Sequence, residues 1–120
     1  MNNQRRKELN RISTEMSAAT IVDLESIKSD IEMVLMDEEM AFENMPEGLQ
    51  MSYRGEMSEE AQDNMTDAID QIDDFIDEYG EGSDATEEEK ESALQELIDN
   101  VTDALTMAAE YETQERTPDQ

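Results

Sequence analysis

Asp63, Asp67, Asp70, Asp74 and Asp77 follow one another at steps of four, three, four and three residues, the spacing that places side chains on one face of a helix. Glu59 and Glu60 extend the row at one end, and Asp73 and Glu78 thicken it. At about 1.5 Å of rise per residue the carboxylates fall roughly 5–6 Å apart in a line, near the spacing of successive phosphates along a nucleic-acid strand. Carboxylates so arranged can hold cations, act as acid and base in catalysis, or present a line of negative charge to a basic partner. Like charges at this spacing cost a few tenths of a kcal/mol per pair, so such a face destabilises the helix that carries it. A face needed only for solubility would mix Lys with Glu.

Counter-charge is scarce throughout. The 120 residues carry 34 Asp and Glu against eight Lys and Arg, a net charge of −26. From Ile12 onward, 33 acids meet only Lys28, Arg54, Lys90 and Arg116, a net −29. There is no His and no Cys. The commonest general base and the commonest transition-metal ligands are therefore missing, and disulfides and thiolate chemistry are excluded. Helical carboxylate catalysts usually pair an inward Glu with a His three residues on. With no His, and with the acids falling opposite the apolar stripes, no enzyme activity, cofactor or resident metal is expected. Residues 77–88 (DEYGEGSDATEE) match an EF-hand loop at Asp77, Gly82 and Glu88. Tyr79 and Asp84, however, stand where a carboxylate or amide and an aliphatic side chain belong, so a Gly-containing turn between two helices is the simpler account.

High charge with 4% aromatic residues raises the question of disorder. The apolar residues answer it, because they recur at helical steps along most of the chain. Residues 5–43 carry Leu9, Ile12, Met16, Ala19, Val22, Ile27, Ile31, Val34, Leu35 and Phe42 and read as one long helix, weakest at residues 17–20, where Ser and Thr dilute helix propensity. Pro46, Gly48 and Gly55 mark a connector. A second helix over 58–79 starts at Ser58 as N-cap and carries Ala61, Met65, Ala68, Ile69, Ile72, Phe75 and Ile76. A third, over 86–112, opens with the capping-box pair Thr86 and Glu89. Residues 113–120 have nothing to bury and read as a loose tail. The expectation is a single all-α domain over residues 1–112, a three-helix bundle or a long antiparallel hairpin with an added helix. Narrow stripes in so small a chain make a homodimer a plausible way to enlarge the core. No run approaches the roughly 18–20 apolar residues of a membrane span and residues 1–7 are polar, so a soluble cytoplasmic protein without membrane contact is expected.

Arg5, Arg6, Lys7 and Arg11 make the first eleven residues net positive and are expected to pair with acids of other helices or of a second subunit. Ten Met residues suit gap-filling in the core, or an adaptable binding surface. Met45, Leu49, Met51 and Tyr53 are apolar for a solvent loop and are expected to dock across the gap between the first two helices.

Residues 37–56 (DEEMAFENMPEGLQMSYRGE), with Asn44, Met45, Pro46, Glu47, Leu49, Gln50 and Ser52 at their centre, resemble small helical proteins of bacteriophages and integrated prophages. The likeness extends over residues 21–76. In character the chain is also similar to phage-encoded DNA mimics that disable restriction, CRISPR or recombination enzymes. That resemblance implies a counter-defence inhibitor lodged in the basic channel of a host nucleic-acid-binding protein, such as a nuclease or CRISPR effector, with no nucleic acid bound directly. Glu59, Glu60, Asp63, Asp67, Asp70, Asp73, Asp74 and Asp77 would stand in for phosphates. The alternative is a structural or assembly protein whose apolar stripes pair helices and whose acids provide solubility.

Overall fold

Hydroxyl side chains interrupt the first apolar stripe. Thr14 Oγ1 donates to the Asn10 carbonyl at 3.0 Å and Ser17 Oγ to the Thr14 carbonyl at 2.7 Å, so side chains compete for the acceptors that would carry the helix onward. The last turn tightens, Ala18 and Ala19 donating to the carbonyls of Glu15 and Met16. Thr20 is extended, and the Asp23 carboxylate accepts hydrogen bonds from its N–H at 2.9 Å and its hydroxyl at 3.1 Å, starting a new helix. In the computed structural model, which describes residues 3–80 and 82–116 with side-chain burial through residue 109, the expected helix over 5–43 is therefore two helices. These are α1 (Asn3–Ser17) and α2 (Leu24–Glu43), joined through a 3-10 turn (Ile21–Asp23). A continuous helix over 39 residues would be about 58 Å long. The bundle measures 51 × 24 × 17 Å, so such a helix would overrun its longest dimension and leave the end of its stripe uncovered.

After α2 come a single-turn helix α3 (Glu47–Gln50), then α4 (Tyr53–Tyr79) and α5 (Glu87–Arg116). The described residues contain no strand. The four long helices pack in a ring, α1 on α2, α2 on α4, α4 on α5 and α5 on α1. Arg5 meets Glu38 and Arg11 meets Asp30, while Glu38 meets Ser58 and Lys28 meets Asp73, so each neighbour runs antiparallel to the last. The fold is an all-α, up-down-up-down four-helix bundle. Leu9, Ile12 and Met16 of α1, Leu24, Ile27 and Ile31 of α2, Ala61, Met65, Ala68 and Ile72 of α4, and Val101, Leu105 and Ala108 of α5 fill its axis.

α4 begins five residues before the expected start. Ser52, extended, takes the N-cap position, and Ser58 lies fully buried inside the helix. Gly55 reads as part of the connector because glycine weakens helices. It sits within α4 because a Cβ there would lie 2.0 Å from the Gln50 carbonyl oxygen. Without one, α3 folds tightly back on α4, and Gln50 Nε2 donates to the Phe42 carbonyl at 2.9 Å. Gly80 follows the end of α4 and Gly82 adopts φ of +88°, which only glycine takes without strain. The capping box at α5 forms as expected, Glu89 N–H donating to Thr86 Oγ1 at 3.1 Å and Thr86 N–H to Glu89 Oε1 at 3.2 Å. α5 continues through residues 113–116, where a loose tail was expected; residues 117–120 lie outside the described residues.

Candidate acidic interface

Ala61, Met65, Ala68 and Ile72 turn one side of α4 to the bundle axis, which directs the opposite side outward. Asp63, Asp67, Asp70, Asp74 and Asp77 are exposed on that outer side, and Glu59 and Glu60 are exposed beside them. Asp73 departs from the row. It leans towards α2 and accepts a hydrogen bond from Lys28 Nζ at 2.7 Å. The Asp73 carboxylate in turn holds the Lys28 ammonium above its ordinary value of 10.5, burial opposing it. Asp67 accepts a hydrogen bond from Gln71 Nε2 at 2.9 Å. Among the described residues no Lys or Arg lies within ion-pair distance of Asp63, Asp67, Asp70, Asp74 or Asp77.

The ridge is denser than one row suggests. Residues 56–78 carry ten Asp and Glu and no Lys or Arg. Leaving out Asp73, paired to Lys28, nine charges over about 34 Å of helix are roughly one per 3.8 Å, close to the 3.4 Å axial charge spacing of a single strand of B-DNA. α5 widens the field. Tyr79, at the end of α4, is half-buried, and its phenol is raised above 10.0 by the charge of Glu78, by burial, and by the charges of Glu89 and Glu96. A cleft of about 350 Å³ runs between the two helices there, bordered by Asp74, Glu78, Glu96 and Asn100. Periodicity within one segment does not register Glu89 and Glu96 as neighbours of the ridge, because only the α4–α5 pairing puts them there. No group of three or more carboxylates converges closely enough to hold a metal ion among the described residues. Asp77 lies in the last turns of α4 and Glu88 in the first turn of α5.

The α1–α2 hairpin and its contact with α4 treat charge differently. Arg5 Nε donates to Glu38 Oε1 at 2.8 Å, and Ser58 Oγ donates to Glu38 Oε2 at 2.6 Å. Glu38 is 0% exposed. Its position was recoverable from spacing, since Leu24, Ile27, Ile31, Val34 and Glu38 continue one stripe at helical steps. Arg11 is held by Glu8, Glu15 and, at 3.6 Å, Asp30. The basic residues Arg5 and Arg11 thus pair with acids of their own chain, largely within the α1–α2 hairpin.

The methionines divide. Met16, Met57 and Met65 are buried, whereas Met33, Met36, Met40, Met51 and Met107 are exposed. The connector departs from expectation in the same way. Met45 is half-buried, but Leu49, Met51 and Tyr53 face solvent, because the α2–α4 contact closes without them and α3 is anchored through Gln50. No helix among the described residues is long and apolar enough to cross a membrane. Comparison of the chain with protein-family models, with curated proteins and with solved structures gives no match.

Proposed function

We propose that the protein is a non-enzymatic inhibitor that occupies the basic nucleic-acid-binding surface of another protein, its outer α4 face taking the place of a phosphate backbone. A phage counter-defence role against a host nuclease or CRISPR effector is the setting that the resemblance of residues 37–56 suggests. One observation carries the proposal: Asp63, Asp67, Asp70, Asp74 and Asp77 stand in a solvent-facing line with no cation among the described residues paired to them. Folding would favour neutralising such a row, since each adjacent pair repels. A basic channel would supply the missing counter-charge, and the field of the ridge would steer the encounter and make it salt-sensitive. The same field repels nucleic acid, so the protein competes with it and does not bind it.

The test is a pull-down from bacterial lysate at low salt and at about 0.5 M salt. The expected result is a nucleic-acid-binding protein released by high salt and displaced by duplex DNA, and lost when Asp67, Asp70 and Asp74 are changed to Asn. Unchanged partner capture by that variant overturns the proposal.

The second reading, an assembly protein working through an apolar helix face, has its own support in the exposed methionines of α2. It requires the Asn variant to be silent and substitutions of the apolar face to abolish function.

A further inference from the structure

The core residues of α2 account for one side of that helix. The side facing solvent has a pattern of its own. Ser26, Ser29, Met33, Met36 and Met40 follow steps of three, four, three and four, which is the seam spacing of a two-stranded coiled coil. The methionines on it are 70%, 61% and 55% exposed. Leu24, Ile27, Ile31 and Val34 already bind α2 to its neighbours, and of the seam methionines Met33 stands at the rim of the cleft between α1 and α2.

What flanks the seam decides what can cover it. Glu25, Glu32 and Glu39 line one side at seven-residue intervals, and Asp30 and Asp37 line the other. Both flanks of the seam are therefore acidic, with Arg11 approaching Asp30, Arg5 bordering the same α1–α2 cleft as Asp37, and Lys28 near enough to Glu25 and Glu32 to feel their charge. Lys28, the one base of α2, is turned to Asp73 of α4. A second copy is a poor occupant. Parallel pairing sets one flank against the other and antiparallel pairing sets each flank against itself, so acids oppose acids in both. An amphipathic helix with a narrow apolar stripe and Lys or Arg on both flanks satisfies the seam and its borders together. Methionine suits such a surface because its unbranched, polarisable side chain repacks around different apolar partners.

The geometry points to the outer face of α2 as a docking site for a basic amphipathic helix of another protein, separate from the α4 ridge. The inference does not depend on the ridge being a phosphate mimic, and the test separates the two. The probe is a synthetic three-heptad peptide with Leu at the seam positions and Lys on both flanks, titrated into the full-length protein at about 0.15 M salt. A peptide with Glu on both flanks is the control. The Lys-flanked peptide is expected to bind and to perturb the methyl NMR signals of Met33, Met36 and Met40, while the Glu-flanked peptide does neither. Met33→Ser, Met36→Ser and Met40→Ser together should weaken binding about tenfold or more, with the helical circular dichroism unchanged. Asp67→Asn, Asp70→Asn and Asp74→Asn together should change it less than about threefold. Failure to bind, equal binding by the Ser variant, or loss of binding in the Asn variant alone overturns the inference. So does sedimentation showing a dimer that the Ser variant dissolves, since a second copy would then be the occupant.

Discussion

Asp70 and Glu38 are both carboxylates on helices of one bundle, and they live under opposite rules. Asp70 faces water with Asp67 and Asp74 as its neighbours on α4, and no cation of the described chain pairs with it. Glu38 is fully buried, with Arg5 on one oxygen and Ser58 on the other. Water solvates each ridge carboxylate, so the cost there is mutual repulsion, small per pair and shared along the face. Inside the bundle desolvation is the cost, and hydrogen-bonding partners such as Arg5 and Ser58 make it tolerable. The ridge can therefore lose charges and gain stability, and the buried site cannot lose a partner without a large penalty. Selection for folding alone explains the second arrangement more readily than the first.

The contrast breaks most visibly at Arg5. Arg5→Met should destabilise the bundle by about 3–5 kcal/mol in urea unfolding, because a buried Glu38 carboxylate loses the guanidinium on one of its oxygens. Adding Glu38→Leu to that variant should recover most of the loss, since replacing a whole buried pair by apolar groups is often neutral. If the single variant unfolds at the wild-type midpoint, Glu38 is solvated in solution and the contrast fails. Ser58→Ala should cost about 1.5–3 kcal/mol, the range for a hydrogen bond to a charged group.

On the ridge the sign reverses. Asp67→Asn, Asp70→Asn and Asp74→Asn together remove the four repulsive neighbour pairs along the row, and Asp70–Asp73 and Asp74–Glu78 beside it, and should raise stability by about 1 kcal/mol or more, a shift read as a higher melting temperature at low salt. The difference from wild type should shrink as salt is added, because screening relieves the same repulsion. A melting temperature that falls in the Asn variant would show that the ridge stabilises its own helix.

The smallest effect is expected at Lys28, the point where ridge and hairpin touch. Its ammonium is held above 10.5 by Asp73, and the Tyr79 phenol is held above 10.0 by Glu78, burial, Glu89 and Glu96. A pKa raised in the folded state adds stability that is complete below the unfolded value and is lost as pH rises through the folded one. Thermal stability should therefore decline from about pH 10 upward, and Lys28→Met should flatten that decline slightly while Tyr79→Phe flattens the remainder. An alkaline limb identical in all three proteins would place the loss elsewhere.

Helix content and the positions of most core residues were readable from spacing, because an amphipathic helix writes its buried face into the chain every three or four residues. The acidic row on α4 was readable for the same reason. Where reading stopped, two local preferences conflicted or a partner was remote in sequence. Gly55 looked like a connector residue and sits in α4, since a backbone approach by Gln50 outweighs its low helix propensity. Ser58 looked like a cap and became a buried donor to Glu38, twenty residues away. Leu49, Met51 and Tyr53 looked too apolar for solvent and are exposed, because the bundle closes without them.

The chain by itself determined that the protein is helical, strongly acidic and poor in catalytic side chains, since each of these follows from residue type and local period. Only the tertiary structure decided that there are four long helices and not three, and that Asp73 is paired while Asp70 is not. It also decided that Glu38 is buried on Arg5 and that three methionines of α2 face outward. Pairing and burial depend on what the rest of the chain brings alongside, and a period along one helix carries no record of which neighbour will cover it.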